Sequence, residues 1–230
     1  MNIGGHQEIS LLDYPGKIAT IIWTTGCNFR CPFCYNPDLV MDHTDHINIE
    51  EFFSFLNMRK GKLDAVSISG GEPFLQPDLK EILTRIKQMD FFVKIDTNGS
   101  FPDMLQECLD ESLIDYVSMD VKSVKENYSE IAGVAVNIDY IERSIQIIKK
   151  HAKNYEFKTT VIPRFHKEKD IIEIAHWIKG AKRYFLQQFK TNTVLLSQDF
   201  NSIRTYTKDD LEKMCEKVRP FFTECHVRGI

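Results

Sequence analysis

The stretch "KIATIIWTTGCNFRCPFC" (17–34) runs from an apolar segment directly into three closely spaced cysteines. Its first part, "KIATIIWT" (17–24), has the apolar and β-branched composition that is typical of a buried strand. Cys27, Cys31 and Cys34 follow within a span of eight residues. The residues between them are too few to form a long helix or strand, so we expect the three thiols to converge on one small group.

Outward from this stretch, strand patterns alternate with amphipathic helix patterns. The further predicted strands are 64–69, 91–97, 115–121, 155–162, 183–189 and a short terminal "ECHVRG". The predicted helices are 47–58, one from Asp78, 102–110, 139–151, one that carries Ile171 to Ile178, and one from about Lys208. Parallel neighbours need such long connections, so the pattern predicts an α/β fold that is either an open doubly wound sheet or an incomplete barrel. No linker interrupts the alternation, and we expect one domain over residues 1–230.

Composition excludes several classes of protein. The chain has 230 residues, of which 43% are hydrophobic, and this is enough for a substantial core. The formal net charge of −4 and the interleaved charges give no basic field, so nucleic acid is not an expected partner. No apolar run approaches the roughly 18–20 residues of a membrane span, and the N-terminus lacks the features of a signal peptide. We therefore expect a cytoplasmic protein with no membrane contact.

The six cysteines are better explained as ligands or buried thiols than as disulfides, because no secretion signal accompanies them. Cys108, Cys215 and Cys225 are scattered, and we expect them in the core. For the cluster of three, His43 or His46 could complete a four-ligand zinc site. Alternatively, a [4Fe-4S] cluster held by three cysteines would leave one iron open to another ligand. Spacing alone leaves both open.

Two motifs together carry a family resemblance. The pattern C-x₃-C-x-Φ-C, with Phe33 before the last cysteine, resembles the signature of the radical S-adenosylmethionine (SAM) enzymes. The segment "SGGEP" (69–73) follows the second predicted strand and resembles the GGE motif of that superfamily. The resemblance implies a partial (β/α)6 TIM-like barrel of parallel strands that is open on one side.

A narrower resemblance extends over nearly the whole chain. It rests on "SLLDYPGK" (10–17), "CNFRCPFCYNP" (27–37), "DTNG" (96–99), "DVK" (120–122) and "VIP" (161–163). These segments resemble the activating enzymes of glycyl-radical proteins, and most closely the anaerobic ribonucleoside-triphosphate reductase activating proteins. The resemblance implies an oxidoreductase that reductively cleaves SAM at one [4Fe-4S] cluster and forms a glycyl radical on that reductase. It also implies flavodoxin or ferredoxin as the electron donor.

The resemblance assigns site roles to residues that follow the predicted strands. Cys27, Cys31 and Cys34 would hold the cluster, and Phe33 would lie beside the cofactor. Gly70 and Gly71 suit a backbone that passes close to a ligand. Glu72 would add a negative partner for the methionyl ammonium, and Asn98 would face SAM. Without the cysteines, both the "GGEP" and the "DTNG" segments would be ordinary turns.

Charged residues on the later strands complete the expected site. Asp120 and Lys122 share a face because strand side chains alternate, and Lys122 would lie near the SAM carboxylate or ribose. The alternative is a surface ion pair. Lys158 is a second candidate for a carboxylate contact, since lysine is uncommon in mid-strand positions. Asp96 and Asp120 could share a monovalent cation, as in related activases, or form an ion-free hydrogen-bonded arrangement.

One position departs from the related sequences. Phe189 stands where the pyruvate formate-lyase activating branch has a histidine that approaches SAM. Phe189 could stack on adenine or belong to the core, and Gln188 could replace the polar contact.

Two other functions stay open on sequence grounds. A radical SAM enzyme could modify a small molecule or a different protein, and a non-enzymatic module could hold iron–sulfur or zinc. An opening large enough for a peptide loop would favour glycyl-radical activation.

Overall fold

The structure is a computed structural model that describes residues 1–230, and one eight-stranded sheet runs through the chain. The strands pair in chain order, and they are β1 (Ile3–Ser10), β2 (Ala19–Thr24), β3 (Ala65–Gly70), β4 (Phe92–Thr97), β5 (Tyr116–Asp120), β6 (Asn154–Val161), β7 (Arg183–Gln188) and β8 (Glu224–Arg228). The β1–β2 pair is antiparallel, and every later pair is parallel. Because β1 and β8 do not pair with each other, the sheet forms a partial barrel that is open on one side, as the resemblance implied.

Helices connect the parallel strands. They are α1 (Pro37–Met41), α2 (Ile49–Met58), α3 (Leu79–Gln88), α4 (Pro102–Asp110), α5 (Tyr128–Ala132), α6 (Ile138–His151), α7 (Glu168–Trp177) and α8 (Lys208–Val218). In α3 the buried residues are Leu79, Ile82, Leu83 and Ile86, whose spacing gives one apolar stripe toward the core. The side chain of Asn48 caps α2 by accepting a hydrogen bond from the Glu50 N–H. None of the helices has the length and apolar character that crossing a membrane requires.

Strand β1 is a feature that the sequence did not predict. Its segment "IGGHQEIS" has two glycines and several polar residues, which weaken any strand pattern. Pairing with β2 imposes the strand, from Ile3 opposite Thr24 to Ser10 opposite Ala19, with two register shifts. The short helices α1 and α5 were also unpredicted. β2 to β7 are the six strands expected for the barrel, and β8 extends the sheet by one parallel strand.

The inner face of the sheet carries an ion-paired layer. Glu156 on β6 is buried, and its carboxylate accepts hydrogen bonds from Tyr116 (2.8 Å) and Ser118 (3.0 Å) on β5. Arg228 on β8 donates two further bonds to it, at 2.6 and 2.8 Å. Glu156 and Arg228 line a small polar cavity. Asp96, Lys158 and Gln187 line both this cavity and the larger one nearer the carboxyl ends of the strands.

Candidate active site

A cavity of about 330 Å³ lies where the carboxyl ends of the strands meet. Ten of the eleven residues that sequence reasoning assigned to the site line this cavity. They are Cys27, Cys31, Phe33, Cys34, Gly70, Gly71, Asn98, Asp120, Lys122 and Lys158. Most of them lie at or just after the carboxyl ends of strands, which the parallel sheet brings together on one side, whereas Lys158 lies within β6.

The cysteine loop is held from two sides by backbone hydrogen bonds. The Arg30 N–H donates to the carbonyl of Ala132 at the end of α5, at 2.8 Å. On the other side, Leu196 N–H donates to Cys34 O (3.1 Å), and Ser197 N–H donates to the carbonyl of Pro32 (2.8 Å). The contact of Leu196 and Ser197 with the cysteine loop was not expected, because this segment carries no periodic pattern that would have indicated it.

The three thiols are largely shielded from solvent. Burial, with a smaller contribution from the Glu72 carboxylate, raises the pKa of the Cys27 thiol to about 12. Burial also raises the pKa values of Cys31 and Cys34. All three are therefore neutral thiols at pH 7 without a metal, and iron binding must displace their protons. The remaining cysteines lie in the core, as expected, and all six are free thiols.

The donor set fits an iron–sulfur cluster better than a single zinc ion. No three His, Cys, Asp or Glu side chains converge closely enough to hold one metal ion. Neither His43 nor His46 lines the cavity, and His46 contacts Asp42 at 2.7 Å. The zinc alternative is therefore not supported. A four-iron cluster takes its ligands at separate iron corners, which suits three cysteines that share one cavity without meeting at a point.

Gly70 and Gly71 bring the turn after β3 directly against the cysteine loop. Gly70 has a φ of +119°, and a Cβ on it would lie 2.3 Å from the Thr24 nitrogen. A Cβ on Gly71 would lie 1.8 Å from the carbonyl oxygen of Gly26. Backbone bonds of 2.9 Å join the two segments, from Gly71 N–H to Thr24 O and from Glu72 N–H to Gly26 O. The glycines thus permit a backbone-to-backbone contact as well as lining the cavity.

Glu72 is the one predicted site residue that does not line the cavity. It is fully buried, and its carboxylate accepts hydrogen bonds from Thr97 (2.8 Å), from the Asn98 N–H (2.7 Å) and from the Phe74 N–H (3.1 Å). Burial raises its pKa to about 7. These bonds tie the turn after β3 to the turn after β4, and the contact of Glu72 with the methionyl ammonium stays a prediction.

Lys158 lies between the two acidic residues at the strand ends. Its ammonium is 3.2 Å from Asp96 and 3.7 Å from Asp120, and Lys94 contacts Asp96 at 2.9 Å. Burial opposes the ionisation of Asp96, but the charges of Lys158 and Lys94 outweigh it and hold the pKa of this carboxyl well below its usual range. Of the two arrangements expected for Asp96 and Asp120, the geometry corresponds to the one without a bound cation, because the Lys158 ammonium lies between the two carboxylates.

Lys122 lines the cavity and makes no ion pair within 4.0 Å. Burial disfavours its charge, yet the nearby Asp120 carboxylate raises the pKa above its ordinary value. The main chain of Lys122 is fixed by His166, a residue that sequence reasoning missed. The His166 Nε2 lies 2.8 Å from the Lys122 carbonyl, and its Nδ1 accepts the Ile162 N–H at 3.0 Å. An unpaired ammonium on a fixed backbone is suited to bind a carboxylate.

The position after β7 belongs to the core. Phe189 is 1% exposed and does not line the cavity. Its ring lies 6.1 Å from that of Tyr35, which does line the cavity and accepts the Lys190 N–H at 2.8 Å. Gln188 donates to the Phe189 carbonyl, and its neighbour Gln187 faces the cavity instead. Tyr35 and Gln187 are thus lining residues that sequence reasoning missed.

Comparison with known proteins identifies the class to which this fold and site belong. Residues 21–178 match the family described as the Radical SAM superfamily. The chain belongs to that superfamily and is a radical SAM enzyme, whose cofactors are a [4Fe-4S] cluster and SAM. In this structure, the three cysteines are the residues that would hold the cluster.

Individual relatives show which members of the superfamily this chain resembles. A putative glycyl-radical enzyme activating enzyme of Methanocaldococcus jannaschii is 32% identical over 99% of this chain and 96% of its own length. A pyruvate formate-lyase-activating enzyme of Clostridium pasteurianum is 34% identical over 55% of each chain. Streptococcus suis SuiB bound to S-adenosylmethionine matches the fold with a TM-score of 0.66 at 18% identity, over 91% of this chain and half of SuiB (50%).

Proposed function

We propose that this enzyme is an activase that generates a glycyl radical on a partner protein, and that the partner is an anaerobic ribonucleoside-triphosphate reductase. The observation that carries the proposal is the near full-length similarity to the putative glycyl-radical enzyme activating enzyme of M. jannaschii. The choice of reductase rests on the sequence segments around residues 10–17, 96–99 and 120–122, which resemble activating proteins of that reductase.

The residues of the cavity have distinct tasks in this proposal. When bound, the cluster and SAM supply a carbon-centred radical that abstracts a hydrogen atom. Cys27, Cys31 and Cys34 bind the cluster. Lys122 offers its free ammonium to the SAM carboxylate, and the glycine turn keeps β3 against the cysteine loop at the wall of the cavity. The backbone bonds from Leu196 and Ser197 hold the cysteine loop in place at the cavity.

The open side of the barrel supports a polypeptide substrate. β1 and β8 are the two free edges of the sheet, and no strand joins them. A peptide loop from the partner could therefore enter toward the cavity and present a glycine Cα. Hydrogen transfer requires reacting atoms within about 3–3.5 Å, so the partner loop must reach the interior rather than dock on the surface.

The electron donor in this proposal is a flavodoxin or a ferredoxin. Cleavage of a sulfonium needs a potential near the low end of the roughly −700 to +450 mV range of iron–sulfur centres, and these carriers supply electrons at low potential. Arg30 is an exposed cation on the cysteine loop, where an acidic carrier would approach the cluster. We expect the reaction to take place in the cytoplasm, where thiols stay reduced.

The test is anaerobic incubation of the reconstituted enzyme with SAM, a low-potential reductant and the reductase, followed by electron paramagnetic resonance (EPR). We expect a doublet glycyl signal on the reductase that is lost when its target glycine is replaced by alanine. Cys31→Ala is the matched negative control. SAM cleavage without a radical on the reductase would contradict the proposal and favour a different protein or a small molecule as substrate.

A further inference from the structure

Three polar side chains beside Cys27 form a closed ring of hydrogen bonds. The Asn98 Nδ2 donates to the Asn28 Oδ1 at 2.9 Å, and the Asn28 Nδ2 donates to the Ser100 Oγ at 2.8 Å. The Ser100 hydroxyl closes the ring by donating to the Asn98 Oδ1. Asn28 lies on the cysteine loop, whereas Asn98 and Ser100 follow β4, so the ring joins two loops.

The ring determines which way the Asn98 amide faces. Its oxygen accepts the Ser100 hydroxyl and also the Ser100 N–H, at 3.0 Å. Its NH₂ group must therefore face the cysteine loop, where one hydrogen goes to Asn28. The Nδ2 also donates to the sulfur of Cys27, at 3.9 Å. Asn98 is the only side chain that donates a hydrogen bond to a sulfur of the three loop cysteines, since the other donors to these sulfurs are the backbone N–H groups of Phe29 and Asn36.

The backbone that carries this amide is also fixed. The Asn98 N–H donates to the buried Glu72 carboxylate at 2.7 Å. The next residue, Gly99, has a φ of +80°, and a Cβ there would lie 2.1 Å from the Met119 Cε. The Gly99 carbonyl accepts the Ser144 hydroxyl at 2.7 Å. The amide donor is therefore in place before any cofactor binds.

We propose that Asn98 raises the reduction potential of the cluster by donating a hydrogen bond to the Cys27 sulfur, and that Asn28 and Ser100 are positioning residues that keep this donor in place. Reduction brings one electron, and hence one negative charge, onto the cluster and its thiolates. A donor at a ligand sulfur stabilises the reduced form more than the oxidised form. This role is distinct from the SAM contact expected for Asn98, and it rests on the cluster alone, whatever the partner protein.

The test is the midpoint potential of the reconstituted cluster without SAM, from a dithionite titration followed by EPR. The contact is long, so we expect Asn98→Ala to lower the equilibrium constant for one-electron reduction about threefold, which corresponds to about 28 mV. Asn154→Ala is the matched control, because Asn154 is exposed at the start of β6. A midpoint equal to that of the wild type, in Asn98→Ala protein with full iron content, would overturn the proposal.

Two further variants keep the proposal testable if Asn98→Ala takes up little iron. Asn28→Ala and Ser100→Ala retain the donor but remove the bonds that orient it. We expect both to shift the midpoint in the same direction by a smaller amount. Unchanged midpoints in both would refute the proposal, since the ring would then have no influence on the cluster.

Discussion

Replacing Gly71 with alanine tests how closely the turn after β3 is joined to the cysteine loop. The new Cβ would lie 1.8 Å from the Gly26 carbonyl oxygen, whereas ordinary carbon contacts are about 3.5–4.0 Å. The turn must move away, and this breaks the bonds from Gly71 N–H to Thr24 O and from Glu72 N–H to Gly26 O. Each lost buried hydrogen bond costs about 1–3 kcal/mol of stability. Alanine offsets about 0.4–1 kcal/mol of this cost, because it lowers the conformational entropy of the unfolded chain. For the two bonds together, we expect a net loss of about 1–6 kcal/mol.

The assay is urea unfolding of the cofactor-free protein, combined with the iron content after reconstitution. Iron uptake should fall as well, because Cys27 follows Gly26 directly and its nitrogen would lie 3.2 Å from the new Cβ. Gly5→Ala is the matched control, since its Cβ would meet only the Trp23 side chain, at 3.2 Å. A Gly71→Ala variant with wild-type iron content and less than about 1 kcal/mol of destabilisation would refute this reasoning.

Three other outcomes are expected. Cys31→Ala should abolish cluster binding while Cys108→Ala, a change in the core, should retain it; equal iron contents would contradict the ligand assignment. The rate of SAM cleavage should be the same in sodium and in potassium buffers, because the Lys158 ammonium already lies between the Asp96 and Asp120 carboxylates. A strong preference for either ion would contradict the ion-free arrangement. Burial lowers the pKa of His166 from its ordinary 6.5, so below that pH the unfolded chain binds a proton that the folded state excludes. The free energy of unfolding should therefore decrease as the pH is lowered from about 6.5. The His166→Gln variant, compared with the wild type by urea titration over about pH 5–8, should show a weaker pH dependence of this free energy, and an identical pH dependence would disprove the assignment.

The cavity was accessible to sequence reasoning because most of its residues lie at or just after strand ends. Once alternating strands and helices indicate a parallel sheet, residues such as Cys27, Gly70, Asn98 and Lys122 must lie on the same side of it. Local patterns were sufficient for the longer helices, since the apolar stripe of α3 and the cap at Asn48 are encoded within a few residues, but they did not indicate the short helices α1 and α5.

What the sequence did not reveal depends on contacts between distant segments. β1 is a strand because β2 pairs with it, not because of its own composition. The contact of Leu196 with the cysteine loop lies in an irregular segment, where no periodicity indicates position. The hydrogen bonds of Glu72 were not predictable either, because the "GGE" pattern does not show which neighbours supply the donors, and Thr97 is one of them.

The strand order has a consequence for how the chain assembles during synthesis. Each strand pairs with the one made just before it, so the sheet can grow in the order of translation without waiting for a distant partner. The cysteine loop emerges early, but the backbone N–H groups of Leu196 and Ser197 that hold its far side are made late. The loop is thus without these two bonds through most of translation. We expect ribosome-bound chains that end before residue 196 to react with a thiol-alkylating reagent at Cys34 faster than the finished protein does.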